Sequence, residues 1–323
     1  MEQIDAQPVS QADSLSSDDP RTALIERLCP RWQPRQARFE QSLEGGYRNR
    51  NYRFAYHRQD YVLRVPGADT GIDREAEQKI LVIVNDAFAP NQTPHAETYR
   101  VPELVAFDAN NGTMISRFCP WPLLAERPGV SGNDLGYYLA GLHRRLERLS
   151  PRLRPHIQHS PRCETTIVAD LRRAGATAAI CAQVTELTLG QRTQLSHQDL
   201  NPWNLLVDNS VPLNWMTLDW ETLGPNVPLF DLVSLLEGYG LAFDYGRPAL
   251  DELRSDGLRA YNGARQSAFN RSDYRQAQTL FCWREYAWAA AQLKDGNRRE
   301  EITEQYSHYA ALLVQQGFAV IQS

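Results

Sequence analysis

The chain has 323 residues, 42% of them hydrophobic, and a formal net charge of −5 at pH 7. That length predicts two lobes or domains rather than one core. The mildly acidic balance, with basic residues scattered singly or in pairs, excludes the footprint of a nucleic-acid binder, and no apolar run reaches the length of a membrane span.

The first twenty residues, rich in Ser, Gln and Asp, lack the basic start and apolar stretch of a signal peptide and read as a disordered tail over 1–20. The five cysteines (Cys29, Cys119, Cys163, Cys181, Cys282) are odd in number, far apart and without C-x-x-C spacing. This pattern predicts reduced thiols in a cytoplasmic protein, with neither a disulfide framework nor a zinc site. All basic residues except Lys79 and Lys294 are arginine, so a site that needs a cation will use arginine.

A short helix is predicted over 21–29, closed by Pro30. Strands follow at Phe39–Leu43, Tyr52–Tyr56 and Tyr61–Val65, the second alternating like a half-buried strand. The pair Gly45-Gly46 falls between strands, whereas the glycines of a P-loop or dinucleotide fold open a helix. A helix is predicted from about Asp73 to Asn85, and a hairpin from Val101–Ala106 and Thr113–Phe118 around Asp108–Gly112. Phe118–Pro122 breaks the pattern as a hinge would. Beyond it, Leu135, Tyr138, Leu139, Leu142 and Leu146 form a helical stripe. Another helical stretch covers about 165–186. Strands at Leu205–Val207 and Met216–Leu218 bracket a turn, and further helices are predicted over about 228–240, 273–293 and 299–316.

The densest chemistry lies at 197–221. His197, Asp199 and Asn204 stand in H-x-D-x-x-x-x-N order, and Asp219-Trp220-Glu221 follows. This is the layout of a phosphoryl-transfer site: a loop Asp orients the acceptor hydroxyl, a loop Asn holds Mg²⁺, and a later Asp holds the metal bridging the phosphates. Mg²⁺ demands hard oxygen ligands, which carboxylates and amides supply. The order of elements, β-rich and then helical around a hinge, predicts an α+β, bilobal protein-kinase-like fold. Its small β-rich N-lobe would span 21–118 and its larger, mainly helical C-lobe 119–323.

Four segments together resemble the aminoglycoside phosphotransferase and choline kinase superfamily, in its choline/ethanolamine or thiamine kinase branch. They are Glu44–Tyr52, Leu63–Gly67 with Ile72–Glu77, His197–Asn204, and Asp219–Glu221 with Pro228–Asp231. The resemblance implies ATP and Mg²⁺ as cofactors and a small-molecule acceptor, with no nucleic-acid or membrane partner. Asp199 would be catalytic, and Asn204 and Asp219 the metal ligands. Gly45, Gly46, Asn49, Asn51 and Arg64 would meet the nucleotide phosphates, with Glu77 (or Glu75) holding Arg64, and backbone groups around Ser116 and Phe118 the adenine. His197, Glu221 and Asp231 would support the loop.

For the acceptor, the aromatic-rich segment 281–309 suggests a cation–π cage. Trp288 and Tyr309 align with the choline kinase pattern, but Glu285 stands where that pattern has its first tryptophan. Glu237 and Glu285 are candidate partners for a cationic substrate. The expected activity is therefore phosphorylation of a choline- or ethanolamine-like metabolite, with thiamine next. An aminoglycoside-type antibiotic phosphotransferase and a nucleotide-binding pseudokinase are the alternatives.

Overall fold

The computed structural model describes residues 19–43, 49–67, 72–89, 99–157, 163–188, 193–210 and 213–321. Gly45, Gly46 and nearly all of the predicted tail lie outside them. The chain divides into two compact units, one of residues 1–96 and 100–121 and the other of 97–99 and 122–323.

In the first unit, α1 (Pro20–Leu28), capped by Asp19, precedes β1 (Arg38–Leu43), β2 (Asn49–Tyr56) and β3 (Gln59–Pro66). β2 and β3 are joined through His57 and Arg58, both at positive φ (49° and 63°), the turn that matches strand twist in a two-residue hairpin. α2 (Arg74–Phe88) begins at Asp73, whose carboxylate accepts from the Ala76 N–H at 3.0 Å, and buries Ile80, Leu81, Ile83, Val84 and Phe88. After β4 (Tyr99–Arg100), the strands β5 (Leu104–Phe107) and β6 (Met114–Arg117) complete an antiparallel sheet in the order β1-β2-β3-β6-β5. Its core packs Ile25 of α1 against Phe54, Tyr61, Leu63 and Ile115, with Trp32 stacked on Tyr56 at 4.4 Å.

The second unit is mainly helical. α3 (Gly132–Ile157) outruns its predicted stripe because Leu153 and Ile157 continue the buried face. The single helical stretch expected over 165–186 is two helices, α4 (Cys163–Arg173) and α5 (Ala178–Thr188), separated at Gly175 with φ 93°. β7 (Gln194–Ser196) pairs with β10 (Gly224–Asn226), and β8 (Leu205–Val207) with β9 (Trp215–Thr217). α6 (Phe230–Ala242), α7 (Arg247–Arg265), α8 (Arg271–Lys294) and α9 (Glu300–Gln315) follow.

No helix was expected over α7. Its buried face is Leu253, Gly257, Leu258, Ala260 and Tyr261, and the glycine and alanine among them leave the apolar stripe faint. α3 and α7 meet backbone to backbone: a Cβ built on Gly136 would lie 2.3 Å from the Gly257 carbonyl oxygen. Among the described residues no helix is long and apolar enough to cross a membrane.

Candidate active site

The segment 197–204 leaves β7 and returns as β8, and its polar residues are bound largely to one another. Asn204 Nδ2 donates to the Asp199 carbonyl at 2.8 Å and to Asp199 Oδ2 at 3.1 Å. Asn201 Nδ2 donates to Asp199 Oδ1 at 3.2 Å, while Asn201 Oδ1 caps the next turn by accepting from the Trp203 N–H. Gln198 has φ 68°, a left-handed conformation that a side chain disfavours and that surrounding bonds must hold.

Those bonds come from Asp231 at the start of α6. Its fully buried carboxylate accepts from the backbone N–H of His197 at 2.8 Å and of Gln198 at 3.0 Å, and it pairs with His143 Nε2 of α3 at 3.0 Å. Burial works to raise the Asp231 carboxyl. The hydrogen bond from His143 and the charges of His143 and His197 outweigh it, so the group sits below its ordinary value. His197 is also fully buried. Desolvation holds its imidazole below the ordinary value against the pull of Asp231, Asp199 and the Leu218 carbonyl.

His197 is what links the loop to Asp219. Its Nε2 donates to the Leu218 carbonyl at 2.8 Å, and the Leu218 N–H donates to the Asn204 carbonyl at 2.9 Å. The residue before Asp219 is therefore tied on both sides. Asp219 itself is left-handed (φ 52°, ψ 72°) and opens the short turn that carries Glu221.

Among the described residues no three His, Cys, Asp or Glu side chains are gathered for a metal. The donor set at this loop still fits Mg²⁺, which is held by one or two protein oxygens together with substrate phosphates. Asn204 turns its Nδ2 toward Asp199, so its Oδ1 and the Asp219 carboxylate are the oxygens that would hold the ion.

In the first unit, Asn51 faces Arg64 directly across β2 and β3, and Asn49, two residues away, shares that face. Arg64 Nη2 donates to Glu77 Oε1 at 2.5 Å and to the Gly112 carbonyl at 3.0 Å. Glu77 Oε2 takes Arg74 Nη1 at 2.6 Å. Glu77, not Glu75, is thus the partner of Arg64. Ser116 is buried on β6 opposite Val62, and the Phe118 N–H donates to the Asp60 carbonyl at 3.0 Å.

The residues expected around the acceptor are placed differently from the open cage that their types suggest. Glu237 accepts from Arg254 Nε and Nη2 at 2.8 and 2.6 Å and from the Tyr274 hydroxyl. Glu285 accepts from Arg284 Nε at 2.7 Å and, on its other oxygen, from Gln305 Nε2 at 2.7 Å. Tyr309 is buried edge-on to Phe281, and Trp283 is buried against Tyr286 and Phe318. Trp288 remains half-buried.

Arg284 was not foreseen. Its Nη1 donates to the Gln198 carbonyl at 2.7 Å and to Asp199 Oδ1 at 3.1 Å. Nothing in its local sequence, an arginine within an aromatic-rich helix, signals this contact.

A family model described as the phosphotransferase enzyme family matches residues 40–280. The chain therefore belongs to that family, and it is a small-molecule phosphotransferase with a kinase-like α+β fold. No curated protein matches it in sequence. Among solved structures, an ethanolamine kinase from Plasmodium vivax superposes with a TM-score of 0.62 at 14% identity, covering 92% of this chain and 86% of that one. A choline/ethanolamine kinase family protein from Mesorhizobium loti gives 0.57 at 18%, covering 91% and 94%. An aminoglycoside-3'-phosphotransferase of type VIII gives 0.55 at 18%, covering 82% and 97%.

Proposed function

We propose that the chain is an ATP- and Mg²⁺-dependent kinase. Its acceptor is a hydroxyl of a small amine-bearing metabolite, choline- or ethanolamine-like first and thiamine second. The observation that carries this reading is the Asp199–Asn204 pair: a carboxylate and an amide bound to each other in a loop braced by Asp231.

Asp199 orients the acceptor hydroxyl and takes its proton late in the transfer, since phosphoryl transfer depends mainly on positioning and charge stabilisation. Asn204 and Asp219 are the residues that would hold Mg²⁺, which when bound neutralises charge building on the phosphate oxygens. Arg64, fixed by Glu77, meets the nucleotide phosphates, as do Asn49, Asn51 and the backbone at Gly45 and Gly46. Backbone groups near Ser116 and Phe118 meet the base. His197 and Asp231 keep the loop in shape, and Glu221 supports Asp219.

The amine-bearing acceptor is supported by charge. Asp199 and Glu285 set two carboxylates against the one guanidinium of Arg284. A second reading, an aminoglycoside acceptor, is favoured by the burial of Trp283 and Tyr309, which leaves Trp288 and Tyr306 as the partly exposed Trp and Tyr side chains of the 281–309 segment.

The test is ADP release from Mg²⁺–ATP with choline, ethanolamine, thiamine and a set of aminoglycosides, with Asp199→Ala as the blank. Turnover on an amine alcohol that vanishes in the blank is the expected result. Turnover confined to aminoglycosides replaces the acceptor class. Tight ATP binding with no turnover on any of them turns the reading to a pseudokinase, and absence of ATP binding overturns it.

A further inference from the structure

We infer that Arg284 is a positioning residue for the transfer: it determines which oxygen of Asp199 faces the acceptor hydroxyl. The inference rests on the reading of Asp199 as the carboxylate that orients the acceptor.

An ionised carboxylate offers about four lone-pair positions, two on each oxygen. On Asp199, Oδ1 accepts from Asn201 Nδ2 at 3.2 Å and Arg284 Nη1 at 3.1 Å, which fills it. Oδ2 accepts from Asn204 Nδ2 at 3.1 Å, so among the described residues one position remains, and it is on Oδ2. The Asp199 side chain is 37% exposed, so a hydroxyl can reach that position. Without Arg284, Oδ1 would compete for the same proton and the carboxylate could turn.

Arg284 is well placed to prevent this. Its Nη1 bridges the Gln198 carbonyl and the Asp199 side chain, clasping the left-handed residue and the carboxylate together. Its other edge is held by Glu285, whose second oxygen is held by Gln305 of α9. The guanidinium lies near the rings of Phe230 and Phe281, at 5.5 and 5.4 Å. A planar fork can make these contacts at once, whereas a lysine ammonium offers a single point. Arg284, Glu285 and Gln305 all lie beyond residue 280, where the family match ends.

The test is steady-state kinetics on the full chain with the best acceptor of the set above, or with water as acceptor (ATP hydrolysis) if none is used. Arg284→Met should lower kcat by about 10- to 100-fold, the penalty of a misplaced catalytic group, while KM for ATP stays within about twofold. Arg284→Lys should recover only part of the loss. In an Asp199→Asn background, Arg284→Met should cost nothing further, because its effect passes through Asp199. An unchanged kcat overturns the inference. So does a loss matched by weaker ATP binding and a lower unfolding midpoint, or an equal loss in both backgrounds. If Asp199→Asn alone keeps a near-normal rate, the reading of Asp199 has failed first, and the inference falls with it.

Discussion

Asn204 donates its side-chain amide to both the backbone carbonyl and the carboxylate of Asp199, at 2.8 and 3.1 Å. One side chain thereby fixes the carboxylate through Nδ2 and presents Oδ1 elsewhere. The two tasks predict a particular response to substitution.

Asn204→Asp keeps an oxygen ligand but replaces the donor with a second carboxylate beside Asp199. The rate should fall by roughly 10²-fold, as for loss of positioning, and the Mg²⁺ concentration at half-maximal rate should not rise. Asn204→Ala should raise it. A Mg²⁺ titration of ADP release separates the two, and an unchanged requirement in Asn204→Ala argues against Asn204 as a ligand.

Glu77 is shared by Arg64 and Arg74, and its side chain is 1% exposed. Glu77→Ala removes the carboxylate that two largely buried arginines share, and it should destabilise the protein by about 3–5 kcal/mol. Arg64→Met leaves Glu77 paired with Arg74 and should cost less stability, while raising KM for ATP at least about tenfold, as expected for the loss of a charge-assisted contact. Urea unfolding and ATP kinetics on both variants check this.

Asp231→Ala removes the acceptor for two backbone N–H groups, that of His197 buried and that of Gln198 partly so, and the buried partner of His143. Stability should fall by about 3–5 kcal/mol, and in the fraction that stays folded kcat should fall more than KM for ATP rises. A variant with unchanged unfolding and unchanged kcat would remove Asp231 from the loop's support.

Acid should destabilise the fold in two stages. The folded values of His197 and Asp231 lie below their ordinary 6.5 and 3.8, so on acidification the unfolded chain binds these protons first. Their contribution is full above those ordinary values and is lost as pH falls through the lowered ones. Burial raises Glu285 above its ordinary 4.5, so its contribution is present below that value and lost as pH rises through the folded one. The urea midpoint should therefore begin to fall below about pH 6.5, the ordinary histidine value. His197→Gln should flatten that first stage.

The contiguous part of the site was legible in the sequence, because His197, Asp199 and Asn204 carry their chemistry within eight positions of one loop. Strands with alternating residues and helices with strong stripes were legible for the same reason: the pattern is local. What failed was long-range or subtle. Arg284 meets Asp199 across 85 positions. Glu285 read as an open carboxylate because its arginine and glutamine partners are fixed only by packing. α7 hid behind a buried face built from glycine and alanine, and α4 and α5 merged because periodicity passes through Gly175 while its φ of 93° ends the helix. Asp199 and Glu77 were picked on residue type and position; the oxygen each presents belongs to the fold.

Asp231 joins a backbone N–H 34 positions before it to an imidazole 88 positions before it. The loop thus takes its shape only after α3 and α6 have found each other, a contact of long sequence separation that forms slowly. During synthesis, a chain that has already exposed His197 through Asn204 lacks this brace until α6 has emerged. Arg284, which clasps Gln198 and Asp199, comes still later in the chain, so the loop is held in stages as α6 and then α8 are made.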